Sequence, residues 1–261
     1  MSVTVEGDHV QDIYRDKYVA FVDLLGFKQL VIDADRSPER RLHVLEILDL
    51  LRATACENPS IGMRLTQFSD CVILSADRTG RGLAQILASV EWLALNLLQH
   101  DVLVRGGLAV GGAHHDAIFV YGVAVNEAHG FEQCADHPRV IVSDAVESEV
   151  RASGLADALA EDTDGRVFVH YLRQYARYDP SIRLPGTVVL EEPAARMMDF
   201  ICHRLNTDSG RILEKARWFQ AYWNRVVATQ GVFGRIEAGV CERVATEGPT
   251  IVVWRVFNPG A

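Results

Sequence analysis

Residues 63–76, Met63-Arg-Leu-Thr-Gln-Phe-Ser-Asp70-Cys-Val-Ile-Leu-Ser-Ala76, read as two strands bent at Ser69-Asp70. In the first half Arg64, Thr66 and Phe68 alternate with Leu65 and Gln67, the period of two that gives a strand two different faces. The second half, Cys71-Val-Ile-Leu74, is continuously apolar and therefore belongs inside a sheet. The pair is a hairpin with a carboxylate at its bend.

Upstream, Tyr18-Val-Ala-Phe-Val-Asp23 is a short run of strand formers that also ends on a carboxylate. Leu24-Leu-Gly-Phe27 follows as a turn, and a helical pattern runs over residues 38–55, with Ser37 as N-cap ahead of proline at the first helical position. Downstream, a helix is expected over 83–99 and a strand over 102–110, ended by Gly111-Gly112. His114-His115-Asp116 reads as a solvated hairpin tip before a return strand over 118–121. Gly122 leads into a helix to about Ala135, followed by a strand over 139–143, a helix to Ala152 and a strand over 167–171. The order β-α-ββ-α-ββ-α-β predicts an α+β fold, a mostly antiparallel sheet with helices on one side. After Tyr175 the texture changes: Tyr178-Asp-Pro180 and Leu184-Pro-Gly186 punctuate the chain, and amphipathic helices follow over 191–205 and 209–229, with a last strand over 250–257. The expected division is a domain of residues 1–175 and a helical appendage of 176–261 packed on it.

About half of the 261 residues are hydrophobic and a quarter are charged, which is ordinary globular composition. The net charge of −9 argues against a general nucleic-acid coat, which needs excess Lys and Arg to meet phosphates. It leaves room for one cationic pocket and a small anionic ligand. The first residues are polar and acidic without a signal pattern, and no apolar stretch is long enough to cross a bilayer. Cys56, Cys71, Cys134, Cys202 and Cys241 lie far apart with no CxxC pair, which fits reduced thiols and a cytoplasmic location.

Three segments in order carry a resemblance: Phe21-Val-Asp23-Leu-Leu-Gly-Phe27, Phe68-Ser-Asp70, and Val104-Arg-Gly-Gly-Leu-Ala-Val-Gly-Gly112 with Tyr121-Gly-Val-Ala-Val-Asn126. Together, over roughly residues 18–143, they resemble the class III nucleotidyl cyclase homology domain. They are most similar to the pyrimidine cyclases of the Pycsar anti-phage defence systems, which make cyclic UMP or cyclic CMP. The stretches 132–143 and 214–224 share the look of that branch.

The resemblance implies a class III cyclase-like fold and cyclisation of a nucleoside triphosphate with two divalent ions, Mn²⁺ or Mg²⁺, per site. A ribose 3′ hydroxyl is a weak nucleophile and a triphosphate repels it; two hard cations relieve both problems. Asp23 and Asp70, on neighbouring strands, match the metal-binding aspartates, with Leu24 as a third contact. The alternative for these residues is a strand-end carboxylate and a turn cap. Leu25, Gly26 and Phe27 are placed to cradle phosphates through backbone N–H groups, unless they form an ordinary strand-to-helix turn. The family's adenine-reading lysine and aspartate fall here on Thr66 and Phe119, which lowers the expectation of cyclic AMP. Arg64 and Thr66 share a strand face with Asp70 and are candidates to donate to a uracil carbonyl. Asn126 matches the transition-state asparagine, but Gly130 stands where the paired arginine belongs. Arg105 is the leading replacement, with Arg139 and Lys28 behind it.

The resemblance further implies a head-to-tail homodimer with composite sites, and a separate effector protein that responds to the cyclic nucleotide. UTP is the favoured substrate. CTP, a purine substrate and a catalytically inactive nucleotide-binding module remain alternatives. Ser69 lacks a His/Asp partner for hydrolase chemistry. Gly106-Gly107 and Gly111-Gly112 fit no phosphate-loop fingerprint and read as packing glycines. Trp218, Phe219, Tyr222 and Trp223 recur at helical spacing and read as a buried stripe.

Overall fold

β1 (Arg15–Leu25) lies in the middle of the sheet, antiparallel to β3 (Cys71–Asp77) on one side and to β4 (Leu103–His115) on the other. The structure is a computed structural model and describes residues 14–54, 59–177, 188–228, 233–236 and 253–254. β2 (Arg64–Phe68) pairs antiparallel with β3, completing the hairpin expected from residues 63–76. The strand order is β2-β3-β1-β4-β6-β8-β7, with β5 (Val120–Gly122) folded back on β4. β6 (Val140–Val142) runs parallel to β4, and β8 (Val167–Val169) and β7 (Leu159–Glu161) close that edge, so the sheet is mixed.

Because side chains alternate along a strand, the register divides β1 into two faces. Tyr18, Ala20, Val22 and Leu24 are buried together with Val72 and Leu74. Among the described residues four α-helices precede β6: α1 (Phe27–Arg36), α2 (Pro38–Thr54), α3 (Gly80–Gln99) and α4 (Val123–Cys134). α3 packs against β1, β3 and β4 through Leu83, Ile86, Leu87, Val90, Leu93 and Leu97, each at most 2% exposed. Every such side chain contributes about 1.5–3 kcal/mol by leaving water. The Thr79 hydroxyl caps this helix by accepting from Gly82 N–H at 3.0 Å. On the other face Val19, Ala109 and Ala113 pack against Ala124, Val125 and Ala128 of α4. The helices therefore cover both faces, not one: small residues on β4 and α4 permit a close contact there. An alanine Cβ at Gly107 would stand 2.3 Å from the carbonyl oxygen of Ala128, so glycine is what lets α4 lie on the sheet.

Several boundaries differ from the sequence reading. α1 was not anticipated: the sequence reading gave a turn over 24–27 and no element over 28–37, although Phe27, Leu30 and Ala34 carry helical spacing. β4 runs on through Gly111 and Gly112 to His115, because β1 pairs with it as far as Arg15↔Ala113. His114 and His115 are consequently buried rather than a solvated tip; the tip is residues 116–119. β7 was not anticipated. α5 (Asp144–Ala152) is capped by the Ser143 hydroxyl.

The chain divides into two compact units, Met1–Tyr171 and Leu172–Ala261. In the second, α6 (Arg173–Ala176) places Tyr175 edge-on to Trp223 with ring centroids 5.1 Å apart. That packing is why the division precedes α6. α7 (Glu191–Thr207) and α8 (Gly210–Val227) follow, and Phe219, Tyr222 and Trp223 are buried on one stripe of α8. β9 (Val188–Val189) pairs antiparallel with β10 (Val253–Trp254). The rest of the strand expected over 250–257, and the punctuated stretch 178–186, lie outside the described residues. Cys71 and Cys134 are free thiols, whereas Cys202 is disulfide-bonded. The expectation of five reduced thiols is corrected there: spacing along a sequence does not reveal which sulfurs meet in space. Among the described residues no helix is long and apolar enough to cross a membrane.

Candidate active site

Asp23 sits near the end of β1, directly opposite Cys71 of β3 and Arg105 of β4. Asp70 lies in the bend between β2 and β3, where Ser69 takes a left-handed φ of +56° to turn the chain. The Leu24 N–H donates to the Asp70 carbonyl at 2.7 Å, which fastens the bend to β1 one residue beyond Asp23. Ligand atoms of Asp23, Asp70 and Cys71 consequently all lie within 4.8 Å of one another.

Arg105 donates from Nε to Asp23 Oδ2 at 2.9 Å, and its Nη2 lies 2.8 Å from Glu132 Oε1. Glu132 projects from the last turn of α4 and is 6% exposed. Burial pushes its carboxyl above the ordinary carboxylate range; Arg105 opposes the shift, and Asp23 adds to it. Two carboxyl groups thus meet one guanidinium. Burial, with help from Asp70 and Asp23, pushes the Cys71 thiol up to about 11, so without a bound ion the sulfur is protonated at neutral pH. The available donors are hard carboxylate oxygens, a set suited to Mg²⁺ or Mn²⁺.

Three residues past Asp23, Gly26 caps α1 in a left-handed conformation with φ +85°. Its carbonyl accepts from Gln29 at 3.0 Å and Leu30 at 3.2 Å, and no side chain caps the helix. That leaves the N–H groups of Phe27 and Lys28 without an intrahelical acceptor, and an added Cβ at Gly26 would meet nothing within 4 Å. The glycine is required by its φ rather than by close approach of neighbouring chain. Phe27 turns its ring into the core.

The remaining expected residues divide. Thr66 and Arg64 lie on the same sheet face as Asp23 and Cys71, with Thr66 opposite Ile73. Asn126 is exposed on the first turn of α4, about 200° around the helix from the sheet-packed Ala128, so it does not join Asp23 within one chain. Phe119 is 62% exposed at the β4–β5 tip. Gly130 is exposed with open space around it. Arg139 is 2% exposed, and its guanidinium is paired with Asp162 and Asp164. Lys28 is exposed on the first turn of α1. Glu132 and His115 were missed; a lone acidic residue in a helix and a histidine at a strand end carry no sequence signal of their own.

No protein-family model matches the chain, and no curated protein matches it. Solved structures do. A bacterial light-regulated adenylyl cyclase is 17% identical, with 52% of this chain aligned to 45% of that one at a TM-score of 0.39. An adenylate/guanylate cyclase/hydrolase from Silicibacter pomeroyi is 14% identical over 59% of this chain and 95% of its own, at a TM-score of 0.42. A class III adenylyl cyclase-like ATP-binding protein from Pseudomonas aeruginosa is 12% identical over 52% of this chain and 34% of its own, at 0.38. The chain thus spans about half of the first of these proteins. Likeness at this level is general, and the chemistry of the site rests on its own residues.

Proposed function

We propose that this chain is a metal-dependent nucleotidyl cyclase that converts UTP to 3′,5′-cyclic UMP and pyrophosphate. The observation that supports it most is the approach of Asp23 and Asp70 within 4.8 Å, beside a helix N-terminus that no side chain caps. Asp23, Asp70 and the Leu24 carbonyl hold two divalent ions, which when bound acidify the ribose 3′ hydroxyl and neutralise phosphate charge. The first-turn amides of α1 hold the terminal phosphates of the leaving group. Arg105 fixes Oδ2 of Asp23, and so the orientation of that carboxylate. Asn126, facing away from its own site, serves the site of a second subunit in a homodimer. The exposed Ile118, Phe119, Tyr121 and Val123, between 51% and 79% exposed, supply apolar surface for that association. As in the Pycsar systems that the sequence resembles, the product would act on a separate effector.

One observation favours a second reading, a nucleotide-binding module without turnover: Gly130 leaves the arginine position empty, and Arg105 is engaged by two carboxylates. The deciding experiment incubates purified protein with ATP, GTP, CTP and UTP separately, with Mn²⁺ or Mg²⁺, and resolves products by chromatography and mass. Cyclic UMP from UTP supports the cyclase. Nucleotide binding by a folded dimer without any cyclic product supports the module instead.

A further inference from the structure

Glu132 reaches the acidic cluster from a different layer of the fold. It stands on α4, whereas Asp23 and Arg105 lie opposite each other on β1 and β4. Its side chain is 8% exposed, against 14% for Asp23 and 31% for Arg105. Arg105 bridges the two carboxylates, with Nε donating to Asp23 Oδ2 at 2.9 Å and Nη2 standing 2.8 Å from Glu132 Oε1. On the other side of Glu132, His129 comes only to 3.9 Å from Oε2 and lays its ring against Phe21. Among the described residues Arg105 is therefore the one cation within hydrogen-bond distance of Glu132.

A carboxylate that bridges two metal ions uses both of its oxygens, and Arg105 occupies Oδ2 of Asp23. Pulling a partly buried guanidinium from its sole carboxylate leaves an unpaired charge, which costs far more than moving it between two partners. Glu132 removes most of that cost. Arg105 can release Oδ2 and keep Oε1, turning Nε and Nη2 toward one carboxylate in the forked geometry that suits a guanidinium best. Gly107 makes the reach possible. A Cβ there would stand 2.3 Å from the Ala128 carbonyl oxygen and 2.5 Å from Cβ of Phe131, the neighbour of Glu132, so glycine lets this turn of α4 come down onto β4.

We infer that Glu132 is a positioning residue of the metal site, taking Arg105 over from Asp23 when Asp23 turns to divalent ions. It thereby sets the affinity of Asp23 and Asp70 for those ions without touching one. This exchange rests on the proposed metal role of the two aspartates but not on turnover or on the identity of the base.

The test is calorimetric titration of the whole chain with Mn²⁺, without nucleotide, for the parent, Glu132→Gln, Arg105→Met and the double variant. Glu132→Gln leaves Arg105 with Asp23 alone, and Mn²⁺ affinity should fall about tenfold. In the Arg105→Met background no guanidinium is left to hand over, and the same change should alter affinity less than about twofold. Glu132→Asp holds the charge one methylene further from Arg105 and should lower affinity about threefold, again only where Arg105 is present. That milder variant carries the comparison if Glu132→Gln does not fold. A fall of equal size in both backgrounds means that Glu132 acts through its own charge or through the fold, and overturns the exchange. Unchanged or tighter Mn²⁺ binding in Glu132→Gln overturns it as well. The expected pattern without any cyclic product keeps the exchange and defeats the cyclase. A parent protein that binds no Mn²⁺ overturns both.

Discussion

Arg105 donates its Nε–H to Asp23 Oδ2 across 2.9 Å, and the same guanidinium reaches Glu132 Oε1 at 2.8 Å. One cation thus offsets part of the negative charge of this acidic cluster, and in the proposed cyclase it would share Asp23 with the divalent ions.

Arg105→Met, which keeps length but removes charge, leaves Asp23, Asp70 and Glu132 mutually unscreened. With the Arg105 side chain 31% exposed, solvent moderates the loss, and we expect about 1–2 kcal/mol of destabilisation without metal. Added Mn²⁺ should then raise the melting temperature more in the variant than in the parent. An equal metal-induced shift in both proteins would show that Arg105 and the ions do not share Asp23.

Asp70→Asn removes a hard anionic donor but keeps the shape of the bend, whose tie to Leu24 runs through the backbone. Turnover should vanish while thermal unfolding changes little, and Mn²⁺ affinity by calorimetry should fall at least about tenfold. Activity that survives this change would remove Asp70 from the metal site.

Gly107→Ala and Gly130→Ala test how α4 is seated. The first puts a Cβ 2.3 Å from the Ala128 carbonyl oxygen and must push α4 off the sheet, costing roughly 1–3 kcal/mol and loosening Glu132 from Arg105. The second meets nothing within 4 Å and should stabilise the helix by about 0.5–1 kcal/mol. Chemical denaturation of both variants checks the pair of signs.

His115 makes the fold acid-sensitive. Its pKa is about 4 in the folded state against about 6.5 when unfolded, so between those values the unfolded chain binds more protons. Stability from this group is complete above about pH 6.5 and is lost as pH falls toward 4; between pH 7 and 5 the loss is about 2 kcal/mol. Lys17, Arg64 and His114 push the same way as burial, and Asp116 opposes them. Urea unfolding at the two pH values should show that His115→Gln flattens this part of the pH dependence.

The hairpin at 63–76, the strand that carries Asp23 (though it runs on to Leu25) and the apolar α3 were legible because each is a local pattern of period or continuity. The α+β order followed from them. The helix α1 was present in the spacing of Phe27, Leu30 and Ala34 but was masked by the turn chemistry of Gly26. The end of β4 was hidden by Gly111 and Gly112, which are ordinarily breakers; here pairing with β1 holds them extended.

By itself the sequence determined which carboxylates lie near a strand end or at a bend, and so the candidacy of Asp23 and Asp70. Only the tertiary structure decided that Arg105 and Glu132 join them, that Arg139 pairs with Asp162 and Asp164, and that His115 stands between Thr66 and Ser75. The reason is physical: strand periodicity fixes which face a residue takes. Contacts between residues 23 to 82 positions apart instead depend on sheet register and on how closely α4 approaches across Gly107.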